Sequence, residues 1–198
     1  MEAIIINNIN INKSIFAGLS IGLGGIAFIN CENKTIGAFL FSIGLFSVLV
    51  FGFDLFTGKV CNKYFLKKPF TLITIWIGNL IGAVTIGLLS SVNNSTYIAA
   101  NNVIINKLSK PVPLIDGVVC GICIAIAVKG YKFAEGFGKY LAIILGVMVF
   151  ILCGSEHCVA DMYYFAAARI INLEVVKFIL LVTVGNILGG ALFSGIGD

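Results

Sequence analysis

Six segments of this chain are long and nearly free of charge, at roughly 14–31, 35–58, 69–91, 112–128, 140–165 and 178–197. Each holds about the ~20 residues that a helix needs to cross roughly 30 Å of hydrocarbon. In 198 residues the connections left over are short, so no soluble domain fits between them. The sequence therefore predicts an all-α integral membrane fold of six transmembrane helices, one domain over 1–198. Only 11% of residues are charged, against about a quarter in a soluble domain. The first segment follows a single nearby cation, Lys13, and lacks a small-residue cleavage site. It reads as a retained helix rather than a signal peptide.

The chain also repeats itself. Gly78-Asn79-Leu80-Ile81-Gly82 recurs as Gly185-Asn186-Ile187-Leu188-Gly189, and Asp54 recurs as Asp161, both at an offset of 107 residues. In each half an Asp-containing break in one apolar segment precedes a second segment bearing Gly-Asn-x-x-Gly. Three spans per half make the halves, about 14–91 and 112–197, inverted repeats. Two interrupted segments in matching positions of such repeats point to a transport site between them.

Cations in short loops set the orientation. With a cytoplasmic N-terminus, Lys13, Lys59, Lys63, Lys67, Lys68, Lys129, Lys132 and Lys139 lie inside, and Lys34, Lys107, Lys110, Arg169 and Lys177 outside. Eight against five places both termini in the cytoplasm of a multi-pass protein of the inner (plasma) membrane. The net charge of +4 then reflects topology, and no basic patch suits nucleic acid.

Gly-x-x-x-Gly spacing at Gly18/Gly22, Gly78/Gly82, Gly117/Gly121 and Gly185/Gly189 lets helix backbones approach closely in lipid. Asn79 and Asn186, inside those motifs, read as structural glue for each half. The six cysteines, Cys120-x-x-Cys123 among them, read as small packing residues rather than a disulfide set.

The broken segments are different. An ionised side chain at bilayer depth costs at least about 2.5–3.5 kcal/mol and normally faces a cavity or a partner. The fifth segment carries Glu156, His157 and Asp161 within six positions. Gly52, Gly58, Gly154 and Ser155 are residues at which the second and fifth helices can unwind and expose backbone to a pore. His157 is the only histidine, and an unperturbed pKa of about 6.5 suits proton exchange near neutrality.

On these residues the chain resembles the formate/nitrite transporter family. Phe53-Asp54-Leu55-Phe56-Thr57-Gly58 is similar to the loop interrupting that family's second helix, and Gly154-Ser155-Glu156-His157-Cys158-Val159-Ala160-Asp161-Met162-Tyr163 to its fifth-helix signature. The two Gly-Asn motifs match its third and sixth helices. The resemblance implies an aquaporin-like protomer of a homopentamer, each with its own pore for small monovalent anions such as formate, nitrite or hydrosulfide, and for protons. It implies a central pore histidine at His157, with Thr57 opposite it. Phe41 and Leu45 align with apolar constriction residues on one side and Phe150 with one on the other. Asp54, Leu55, Phe56, Glu156 and Asp161 are secondary pore-loop candidates. No cofactor, metal or enzymatic activity is implied.

Three positions depart from the family pattern. Gly121 and Asp161 stand where the family usually has Asn. Met1 to Asn12 contains no Lys, which puts gating and anion recruitment by an N-terminal helix in question. Two other functions compete. A neutral-solute channel of the aquaporin type would carry Asn-Pro-Ala motifs, but Pro69, Pro111 and Pro113 lie in none. A membrane metal or redox protein would use Cys153, Glu156, His157 and Cys158, whose spacing lets part of the set share a helix face.

Overall fold

Asparagine and proline mark where the helices begin. In the computed structural model, which describes residues 10–196, the side chains of Asn10, Asn33, Asn62, Asn93 and Asn172 each accept a backbone N–H one turn inside a helix. They satisfy donors that the helix itself leaves unpaired. Pro69 and Pro113 open two further helices, where a missing N–H costs nothing. The elements are α1 (Ile11–Ile29), α2 (Lys34–Phe51), α3 (Phe56–Lys59), α4 (Lys63–Leu66), α5 (Pro69–Ser90), α6 (Asn94–Leu108), α7 (Pro113–Phe133), α8 (Gly138–Leu152), α9 (Cys158–Ala167) and α10 (Leu173–Ala191). No strand occurs among the described residues.

Five helices, α1, α2, α5, α7 and α10, are long and apolar enough to cross a membrane. The sequence predicts six. Its fifth segment is split at Gly154 into α8, apolar but only 15 residues long, and α9, so no single helix runs through it. The sequence also leaves 92–111 as a loop, whereas 94–108 is helical. It falls outside the apolar segments, yet Asn93 caps this helix and α9 and α1 pack beside it.

Helix α1 packs on α2 and α5, α7 packs on α8 and α10, and α2 meets α8 while α5 meets α9. The Gly-Asn motifs make the two tightest crossings. A Cβ on Gly82 would stand 2.0 Å from the Ile15 carbonyl oxygen, and one on Gly189 would stand 2.1 Å from that of Val118. Only a residue without a side chain lets α1 reach α5, and α7 reach α10, this closely.

The surface is inverted relative to a soluble protein. Phe39, Ile43, Phe70, Leu89, Leu145 and Leu181 are exposed, whereas Ser14, Thr57, Asn79, Glu156, His157, Asp161 and Asn186 are buried. Lipid accepts the first set, and the second must find its partners inside the protein. The sequence reading of an N-terminal gate concerns residues 1–12, of which 1–9 lie outside the described residues.

Candidate functional site

Two backbone breaks build the site. Gly52 (φ 67°) ends α2 and Gly154 (φ 73°) ends α8, both in the left-handed region that glycine enters without penalty. After each, the chain closes the same turn: Phe53 N–H donates to the Val48 carbonyl and Ser155 N–H to the Phe150 carbonyl, both at 2.9 Å. Two buried amides then hold the extended residues. Asn79 accepts the Phe56 N–H at 2.8 Å and donates to the carbonyls of Ser14 (2.8 Å) and Asp54 (2.9 Å). Asn186 accepts the Cys158 N–H at 2.9 Å and donates to the carbonyls of Gly117 (2.8 Å) and Glu156 (2.9 Å).

These bonds correct the offset read from the sequence. Across the breaks, Gly52, Asp54, Leu55 and Phe56 correspond to Gly154, Glu156, His157 and Cys158, at a shift of 102 rather than 107 residues. The partner of Asp54 is therefore Glu156, not Asp161. The five residues of difference lie between break and motif, since Asn79 follows Phe56 by 23 positions and Asn186 follows Cys158 by 28.

The break residues meet at His157 and Thr57, both buried. Thr57 Oγ1 lies 2.8 Å from His157 Nε2. His157 is also the N-cap of α9, its Nδ1 accepting the Ala160 N–H at 3.1 Å. A nitrogen that accepts a backbone N–H keeps its lone pair, so the neutral ring carries its proton on Nε2 and donates it to Thr57. The Thr57 hydroxyl hydrogen is then available to a guest. Charging the ring would put a proton on Nδ1 against the Ala160 N–H, at the cost of a cap worth about 1 kcal/mol.

Aromatic rings cover this pair on the α6 side. Phe150 stacks on the imidazole with centroids 5.9 Å apart, and Phe41 meets Phe150 edge-on at 5.9 Å. The sequence groups Phe41 with Leu45, opposite Phe150; the structure instead joins Phe41 to Phe150. Leu45 lines a separate hollow with Val48, Leu55, Gly58, Lys59 and Val128. Phe56 contributes its backbone N–H to Asn79 and its ring to the core. Asp54 stands away from the central pair and binds Lys59 at 2.8 Å.

A charged cluster whose lysines the sequence did not identify lies beyond Phe150. Lys107, from the end of α6, binds Glu156 and lies 2.8 Å from Asp161 Oδ1. Lys110 lies 2.5 Å from Glu156 and 3.3 Å from Asp116. Burial works against the Lys107 ammonium, but Asp161 and Glu156 outweigh it and hold the amine above its ordinary value. Lys34, Asn106, Lys107, Lys110, Phe150 and Gly154 border one hollow here. The signal lay in Glu156 and Asp161 themselves, since two carboxylates in an apolar segment demand a cation.

Gly121 does not face this route. A Cβ there would stand 2.6 Å from the Asn186 carbonyl oxygen of α10, so the position serves helix packing. All six cysteines are free, and among the described residues no three His, Cys, Asp or Glu side chains converge to hold a metal ion.

The formate/nitrite transporter family model matches residues 9–197. The nitrite transporter NirC of Escherichia coli is 29% identical over 216 aligned positions, covering 93% of this chain and 80% of NirC. Among solved structures, an ion channel of the formate/nitrite transporter family superposes with a TM-score of 0.81 at 28% identity, covering 93% of this chain and 86% of its own. A pentameric formate channel with formate bound superposes with a TM-score of 0.80 at 21% identity, covering 94% and 93%.

Proposed function

The chain belongs to the formate/nitrite transporter family, a family of transporters rather than enzymes, and from that premise we propose that it is a channel for small monovalent anions. Formate, nitrite and hydrosulfide form the substrate class. The protomer comprises six membrane-crossing units in two inverted triples, with the broken α2–α3 and α8–α9 pairs lining the pore, and five copies assemble in the bacterial-type inner membrane. The single observation that carries this reading is the buried Thr57–His157 contact of 2.8 Å, with the Phe150 ring stacked on the imidazole and Phe41 against Phe150.

An anion leaving water for an apolar constriction pays a steep desolvation cost that hydrogen-bond donors offset. The Thr57 hydroxyl, turned toward the pore by accepting from His157, donates to the anion. Proton exchange with His157 then passes through a charged ring and opens the Ala160 cap. The apolar rings exclude hydrated ions, so the guest crosses them neutral or charge-compensated.

The cap itself favours a second reading, in which His157 stays neutral and acts only as a donor. His157→Gln separates the two: it retains an N–H but does not titrate. Loss of pH dependence with retained flux supports proton exchange, whereas retention of both supports the neutral donor. Orientation follows the excess of loop cations on the side of Lys63, Lys67 and Lys132, eight against five, which puts both termini on the cytoplasmic side.

Purified protein in liposomes is expected to pass at least one of formate, nitrite and hydrosulfide, and to exclude glycerol. Glycerol flux without anion flux would replace this reading with the neutral-solute channel. Native mass spectrometry is expected to show five copies.

A further inference from the structure

Away from the pore, α5, α9 and α10 enclose a trough on the outer face of the protein. It has a volume of about 500 Å³ and is lined by Trp76, Leu88, Phe165, Val175, Leu180 and further apolar residues, with Arg169 as its one ionisable group among the described residues. Leu88, Val176 and Leu180 are exposed, so the trough opens onto the apolar surface that lipid covers. Trp76 and Leu88 stand twelve residues apart on α5, a rise of about 18 Å. That is close to the depth of one leaflet of a core of roughly 30 Å. Trp76 Nε1 donates to Thr183 Oγ1 of α10 at 3.2 Å, which fixes the indole across the inner end.

The charge sits at the other end. Arg169 lies where α5 and α9 finish and α10 begins. Its Nε and Nη2 donate to Ser91 Oγ (3.1 Å) and to the Ser91 carbonyl (2.9 Å), and the guanidinium lies 5.3 Å from the centre of the Tyr97 ring. Among the described residues Nη1 makes no hydrogen bond and no carboxylate pairs with the group. Arg169 also holds φ at 57°, a left-handed conformation that favours glycine, so an arginine stands there against the preference of the backbone. A cation beside an apolar membrane surface seeks an anion. A guanidinium at one end of an otherwise apolar trough of one-leaflet length complements a molecule with a phosphate head and a hydrocarbon tail.

We propose that this trough binds one anionic phospholipid, with its phosphate on Arg169 Nη1 and one acyl chain laid along α9 toward Trp76. The inference needs only the membrane placement of the chain and stands whether or not anions permeate it.

Trp76 is the only tryptophan of the chain, so its fluorescence reads the trough directly. The full chain is reconstituted in phosphatidylcholine at low ionic strength, and small mole fractions of phosphatidylglycerol or phosphatidylcholine with brominated acyl chains are added as quenchers. Brominated phosphatidylglycerol is expected to reach half-maximal quenching at a mole fraction roughly five-fold lower than brominated phosphatidylcholine. Arg169→Gln is expected to abolish that difference while both lipids still quench at high fractions. Val176→Phe narrows the trough from its exposed rim and leaves Arg169 in place. It is expected to weaken quenching by both lipids and serves where the arginine variant does not fold. Equal potency of the two lipids on the wild type overturns the proposal and leaves only ordinary surface lipid. Absence of quenching by either lipid also overturns it, and gives the trough to a second copy of the chain. A preference that persists in an Arg169→Gln variant eluting like the wild type overturns it too.

Discussion

Both ring nitrogens of His157 are engaged, Nδ1 by the Ala160 N–H and Nε2 by Thr57, so the imidazole has one orientation and one neutral tautomer. Thr57→Val keeps the volume of that side chain and removes the hydroxyl. It leaves the Nε2–H without a partner in a buried site, at a cost of about 1–3 kcal/mol. The protein is expected to fold and to lose anion flux by roughly tenfold or more, read as initial uptake in liposomes. The place of His157 at a buried break was legible in the sequence, because a lone histidine in an acidic, glycine-bearing stretch of an apolar segment marks where the helix is interrupted. The identity of Thr57 as its partner came only from resemblance, since nothing in the spacing joins residues 57 and 157. The resemblance also grouped Phe41 with Leu45, one helical turn away, whereas the Phe41 ring meets that of Phe150 from another helix.

At the scale of the element, α2 and α8 end on glycines whose positive φ values carry the cost of any substitution. No atom lies within 4 Å of a Cβ built at Gly52 or Gly154, so alanine meets no clash there. Gly154→Ala is expected to destabilise by about 1–2 kcal/mol through backbone conformation alone, visible as a lowered Tm in detergent. Asn186→Leu is expected to cost more, about 2–4 kcal/mol, because it strands the Cys158 N–H and two carbonyls inside the protein. A Tm equal to wild type in Asn186→Leu would show that the amide does not hold the break. The breaks and their glycines were legible, as was the role of the asparagines. The true register of the repeat was not. Sequence matching locks onto identical letters, Asp54 and Asp161, whereas the equivalent asparagine amides donate to the carbonyls of Asp54 and Glu156 and so match those two. Helix α6 was missed because its polar, asparagine-rich surface carries no apolar period.

At the scale of the molecule, close glycine crossings join α1 to α5 and α7 to α10, apolar side chains face outward, and polar groups line the interior. The apolar segments made this arrangement legible before any coordinates, because lipid leaves a chain of this composition few other ways to satisfy its backbone. What composition does not encode is where lysines from one helix reach into another, and so the cluster of Lys107 and Lys110 with Glu156 and Asp161 emerges only from the fold. The proposed path takes anions through this interior past the Thr57–His157 pair. Its most direct test is formate and nitrite flux in liposomes, at two pH values, for wild type and His157→Ala. The expected result is anion flux in the wild type that depends on pH and collapses in the variant. Flux in His157→Ala equal to wild type at both pH values would contradict the claim.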